Sequence, residues 1–193
     1  LNQALRINSR DPVALYNRGV AYRANGESDR AVPDFDQVIK INPGNSDAAS
    51  AYYNRGLSYR DLRDYDRAIQ DFAQAIRLDP KNSAIYTDRG VANAAKGDFD
   101  KAIEDFDAAI KVDPKNALLL NNRGMAYRNK GLVDSAINDY DQAIELNPDL
   151  AVAYYNRGNA YYDKRDYDIA IQDYNKAIKI NPNYAIAYYD RGI

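Results

Sequence analysis

The chain has 193 residues, a net charge of −2, no cysteine and no histidine. Without cysteine there are no disulfides or thiolate metal sites, and without histidine the commonest general base and metal ligand is missing, so no cofactor is expected. The near-neutral charge argues against general nucleic-acid binding, and no apolar run approaches a membrane span, so neither partner is expected.

The chain is organised by repetition. Asn-Arg-Gly or Asp-Arg-Gly recurs with its glycine at Gly19, Gly56, Gly90, Gly124, Gly158 and Gly192, at gaps of 37, 34, 34, 34 and 34 residues. A fixed period of this size marks a stack of small units, none of which buries its apolar face alone. Residues 1–11 align with the end of one unit, full units run 12–45, 49–82, 83–116, 117–150 and 151–184, and residues 185–193 begin another. Both ends therefore read as broken off mid-unit, as in a stretch of a longer array forming a single domain over 1–193.

Two irregularities fall early. Ser46-Asp47-Ala48 is an insertion and accounts for the 37-residue gap. Three residues make nearly one helical turn, so the helix near Ala49 is expected to start about a turn early. Pro33 falls inside a predicted helix, where it removes a backbone donor and is expected to disturb the first turn.

The last full unit, 151–184, shows the pattern most clearly. Tyr154, Ala160 and Tyr161 surround Gly158 at helical spacing. Asp166 and Asp168 break the pattern and suit a helix N-terminus, because a carboxylate accepts the unpaired N–H groups of the first turn. Ala170, Ile171, Tyr174, Ala177 and Ile178 form a second stripe, and Asn181-Pro182 stops it. Each unit is thus predicted to be two antiparallel helices, here the first and second helix.

Tyr154, Gly158, Tyr161, Ala170, Tyr174, Ala177 and Pro182 occupy positions 4, 8, 11, 20, 24, 27 and 32 of the unit, and Tyr52, Gly56, Tyr59, Ala68, Phe72, Ala75 and Pro80 repeat them in 49–82. This pattern resembles the tetratricopeptide repeat family, over the whole chain. The resemblance implies an all-α, right-handed solenoid of antiparallel helix pairs with a 34-residue period. It also implies a protein-interaction scaffold whose concave groove is lined by positions 2, 5, 6, 9, 12 and 13 of the first helices.

On that resemblance the candidate partner-binding residues are Tyr16, Asn17 and Arg23, Tyr53, Asn54 and Arg60, Asn121, Asn122 and Arg128, and Tyr155, Asn156, Asn159 and Tyr162. Tyrosine at position 5 is either a rigid groove contact or inter-repeat packing. Asparagine at position 6 offers a donor and an acceptor, which suits a peptide backbone, and resembles the asparagine ladder of the O-linked N-acetylglucosamine transferase superhelix. The alternative there is a local hydrogen bond between repeats. Asp88 and Asp190 depart from that ladder, since aspartate only accepts. The carboxylate clamp of co-chaperones is not matched, because position 5 carries Tyr, Thr87 or Asn121 instead of Lys.

Charge separates by half-unit, with the first halves net positive and the second halves net negative. The arginines at position 7 (Arg18, Arg55, Arg89, Arg123, Arg157) are expected to pair with the aspartates at position 23 (Asp34, Asp71, Asp105, Asp139, Asp173), leaving Arg23, Arg60 and Arg128 for the groove. The expected partner is therefore an extended protein segment, acidic or neutral. A second expectation is a structural scaffold that self-associates end to end through the open ends of the array. Catalysis is a poor reading, since the Asp-x-Asp pairs at Asp64/Asp66, Asp98/Asp100 and Asp166/Asp168 are explained as helix caps.

Overall fold

The computed structural model describes residues 6–192, which gather into two compact units, Leu1–Asp98 and Phe99–Ile193. The expected second helix over residues 1–9 falls in part on residues 1–5, outside the described residues.

The first unit holds α1 (Pro12–Ala24), α2 (Ser28–Ile41), α3 (Ser46–Asp61), α4 (Tyr65–Leu78) and α5 (Ser83–Ala95). The second holds α6 (Phe99–Val112), α7 (Ala117–Asn129), α8 (Val133–Leu146), α9 (Ala151–Asp163), α10 (Tyr167–Ile180) and α11 (Ala185–Arg191). Within each unit every helix packs on the next one in the chain, and first helices of neighbouring repeats also touch: α1 on α3, α3 on α5, and α7 on α9. The architecture is all-α, an α-solenoid of helix pairs. Among the described residues, no helix is long and apolar enough to cross a membrane.

Local chemistry places the helix starts. Asp11 caps α1 by accepting from the backbone N–H of Val13 at 3.0 Å and Ala14 at 3.3 Å, and Pro12 stands at the first helical position, where no donor is needed. Asn45, Asn82 and Asn116 cap α3, α5 and α7 in the same manner. Asp64 caps α4 through Arg67 N–H at 3.1 Å, while the Arg67 guanidinium holds its other oxygen. Asp166 stands at the cap of α10 but makes no side-chain cap bond, contrary to expectation. Ile169 occupies the place of Arg67 there, so the carboxylate lacks the guanidinium that holds Asp64.

The insertion lengthens α3 at its start: it begins at Ser46 and runs 16 residues. Pro33 lies inside α2, which continues unbroken from Ser28 to Ile41.

Close approach at position 8 sets the helix–helix distance within a repeat. A Cβ on Gly19, Gly56, Gly124 or Gly158 would stand 2.9, 2.8, 2.7 or 2.8 Å from the ring of Phe35, Phe72, Tyr140 or Tyr174. The aromatic at position 24 therefore fills the space that a side chain at position 8 would need. Around these contacts lie Ala31, Ala68, Ala136 and Ala170, each 0–1% exposed.

Candidate functional site

The candidate residues all sit on first helices: Tyr16, Asn17 and Arg23 on α1, Tyr53, Asn54 and Arg60 on α3, Asn121, Asn122 and Arg128 on α7, and Tyr155, Asn156, Asn159 and Tyr162 on α9. The structure joins six of them across repeats, position 5 of one to position 6 of the next. Asn54 Nδ2 donates to the Tyr16 hydroxyl at 3.0 Å. The Tyr53 hydroxyl donates to Asp88 Oδ2 at 2.7 Å, and the Tyr155 hydroxyl donates to Asp190 Oδ2, also at 2.7 Å. Asn156 Nδ2 donates to Asn121 Oδ1 at 2.9 Å. Direction follows chemistry: asparagine at position 6 donates, and aspartate, which can only accept, receives the phenol proton.

These tyrosine rings also pack inward, Tyr16 edge-on to Phe35 at 5.8 Å and Tyr53 against Phe72 at 6.0 Å between centroids. Burial, reinforced by the bond to Asp88, pushes the Tyr53 phenol well above its ordinary range. The ring at position 5 therefore packs within its own repeat while its hydroxyl bonds to the next. Asn156 is buried and Asn54 half-buried, whereas Asn17 is exposed. Asn122 accepts a long bond, 3.4 Å, from its neighbour Asn121.

The position-12 arginines reach into the next repeat as well. Arg23 Nε donates to Asp61 Oδ2 at 3.1 Å. Arg128 grips Asp163 with two bonds, 2.6 Å from Nε and 3.1 Å from Nη2. Arg60 pairs with Asp88, the carboxylate that also takes the Tyr53 proton. Burial disfavours the charged Arg128 head, and the Asp163 bonds outweigh it, raising its pKa. All three arginines expected to await a partner's carboxylate thus hold one of the chain's own. Reading from sequence passed over Asp61 and Asp163, at position 13. The spacing of Arg128 and Asp163, one repeat plus one residue, is the signal that points to them.

Beneath this face runs an ionic spine. The four position-7 to position-23 pairs that lie within a unit all form: Arg18–Asp34, Arg55–Asp71, Arg123–Asp139 and Arg157–Asp173, each with two bonds of 2.6–2.8 Å. Three of these arginines also bind the preceding repeat, Arg55 to Asp36, Arg123 to Asp107 and Arg157 to Asp141. The bonds to Asp139 and Asp173 raise Arg123 and Arg157 above the ordinary arginine range.

Several apolar and amide side chains remain open on the first helices. Val13 and Leu118 at position 2 and Met125 at position 9 are exposed, as is Tyr162, which packs edge-on to Tyr167 at 5.2 Å. Asn159 at position 9 is engaged from below, accepting the Tyr174 hydroxyl at 2.7 Å. Among the described residues, no group of three or more acidic side chains could hold a metal ion.

Family models described as tetratricopeptide repeat match residues 1–46, 16–83, 53–117, 106–138 and 151–184, and one described as TPR repeat matches 124–164. No curated protein matches the chain by sequence. Among solved structures the chain is similar to YrrB, described as a TPR protein with an unusual peptide-binding site, with 24% identity, 100% of this chain and 97% of that one covered, and a TM-score of 0.76. It is similar also to MamA, with 27% identity, 86% and 96% covered and a TM-score of 0.77. A third is MamA 41-end from Desulfovibrio magneticus RS-1, with 19% identity, 90% and 97% covered and a TM-score of 0.80. The repeat period, the glycine–aromatic contact in the helix pairs and the family models spread along the chain converge: this chain belongs to the tetratricopeptide repeat family.

Proposed function

We propose that the chain is a protein-interaction scaffold and that the faces formed by its first helices bind an extended segment of a partner protein. The observation that carries this reading is a division of labour. Positions 5 and 7 tie repeats together, while Val13, Asn17, Leu118, Met125 and Tyr162 stay exposed on the same helices. Exposed apolar side chains interleaved with a free amide suit an extended backbone, with alternate side chains laid on apolar ground.

The partner segment is neutral rather than strongly acidic. Its carboxylates would have to displace Asp61, Asp88 or Asp163 from arginines that these already neutralise. Binding, not catalysis, is the role such a surface supports.

A library of unstructured peptides, screened for binding and mapped by amide hydrogen exchange, tests this. Protection on α1, α7 and α9, lost on Asn17→Asp, Met125→Glu or Tyr162→Glu, is the expected result. Protection confined to the second helices overturns it. Self-association is the second reading, favoured by exposed Tyr167, Ile171, Tyr188 and Tyr189 on α10 and α11. A mass that rises with concentration, and falls back on Tyr189→Glu, would support it.

A further inference from the structure

The three-residue insertion has a structural product. By starting α3 at Ser46, it places Asp47 and Ser50 beside the start of α1, where they line an open cavity of about 150 Å³. Its other walls are Pro12, Val13, Tyr16 and Val38. A space of this size takes one ring or one unbranched side chain. The walls are aliphatic and aromatic, and the polar groups at the rim are a carboxylate and a hydroxyl.

The carboxylate is unusual on this face. Asp61, Asp88 and Asp163 each hold an arginine. Asp47 accepts only the Asn45 amide, at 3.1 Å, and among the described residues no cation stands within ion-pair distance of it. It stands in the first turn of α3.

We propose that this cavity receives a lysine side chain of the partner segment, the butyl stem against Val13, Val38 and the Tyr16 ring and the ammonium on Asp47 and the Ser50 hydroxyl. An aliphatic stem carrying a cation is the side chain whose two parts match the two kinds of wall, and a nearby aromatic ring adds cation–π attraction. A carboxylate side chain would face Asp47, and a purely aliphatic one would leave that charge without its counter-ion. The site lies where the insertion adds a turn to α3. It rests on the reading that the first helices bind an extended segment, and it gives that segment a register: one lysine, seated between α1 and α3.

Methyl and amide NMR of the full chain tests the site with Nα-acetyl-lysine-N-methylamide and its norleucine counterpart as probes. The expected result is movement of the Val13 and Val38 methyls and the Ser50 amide by the lysine probe, with about fivefold weaker binding in Asp47→Asn and a similar loss for norleucine. Added salt should weaken the lysine probe and leave the norleucine one unchanged. Ser50→Ile, which fills the cavity without touching the charge, should abolish both. Equal binding of the two probes, or no response to Asp47→Asn, overturns the proposal. The peptide screen reads the wider face separately. Peptides bound with the cavity resonances unmoved remove the lysine site and leave that reading standing; a seated lysine probe with no peptide bound does the reverse.

Discussion

Arg55 meets Asp71 with two parallel hydrogen bonds, 2.7 Å from Nε to Oδ2 and 2.6 Å from Nη2 to Oδ1, while its remaining nitrogen binds Asp36 of the preceding repeat. One guanidinium thus joins the two helices of its own repeat and the repeat before. The same arrangement at Arg123 and Arg157 makes position 7 the ionic counterpart of the glycine–aromatic contact at positions 8 and 24.

Breaking one such junction should matter more than breaking a surface pair. Asp173 is 4% exposed, so removing its partner leaves a buried carboxylate without compensation. Arg157→Ala is expected to destabilise by about 2 kcal/mol in urea unfolding. Arg157→Ala with Asp173→Ala should recover part of that loss, which a cycle of the two substitutions measures.

Two tyrosines at position 24 should respond to phenylalanine with opposite sign. The Tyr174 hydroxyl donates to Asn159, whereas the buried Tyr140 hydroxyl has no partner among the described residues, with Met125 standing where Asn159 stands in the next repeat. Tyr174→Phe is expected to cost about 1 kcal/mol, and Tyr140→Phe to stabilise by about 1 kcal/mol by removing an unsatisfied group. Melting temperatures that move the same way would contradict this.

Position 15 offers a stabilising change. Gly26, Gly97 and Gly131 adopt φ of 79°, 83° and 85°, and Arg63 and Arg165 are held at 61° and 67° in the same turn. A side chain in this region is strained by about 1 kcal/mol, partly offset by the greater freedom of an unfolded glycine. Arg63→Gly and Arg165→Gly should each raise stability by about 0.5 kcal/mol, since neither side chain makes an ion pair among the described residues.

Alkaline titration should report the packing of the phenols. Burial comes first in raising Tyr53, Tyr140, Tyr155, Tyr174 and Tyr184 above the ordinary value near 10. A pKa raised on folding contributes stability that is complete below the unfolded pKa and lost as pH rises through the folded one. Absorbance at 295 nm should therefore show a phase from these five phenols above pH 10 that coincides with loss of helical circular dichroism. One smooth titration near pH 10 in a folded chain would show these phenols to be freely hydrated.

The ladder on the first helices separates binding from stability. Asn156 is 8% exposed and bonded to Asn121, so Asn156→Ala should lower stability by about 1 kcal/mol, whereas Asn17→Ala, on an exposed side chain, should leave it unchanged. Only Asn17 therefore offers a clean readout of peptide binding by thermal shift and titration together.

Much of this protein is written locally and was legible without a structure. The 34-residue period, the helix pairs and the pairing of Arg157 with Asp173 follow from spacing within one repeat, where 3.6-residue periodicity and an antiparallel turn leave little freedom for partners 16 residues apart. The destination of Arg23, Arg60 and Arg128 does not. Each leaves its own repeat, and whether it lands at position 13, as at Asp61 and Asp163, or at position 6, as at Asp88, depends on how neighbouring first helices pack and on which residue there bears a charge. The same holds for Tyr53 and Tyr155, whose ring and hydroxyl fit a groove contact and a repeat contact equally well until the next helix is in place. Sequence by itself determined the helices, the repeat and the contacts within it. Tertiary structure alone decided which polar side chains the stack consumes and which it leaves exposed, because that choice is made across interfaces whose geometry no single repeat encodes.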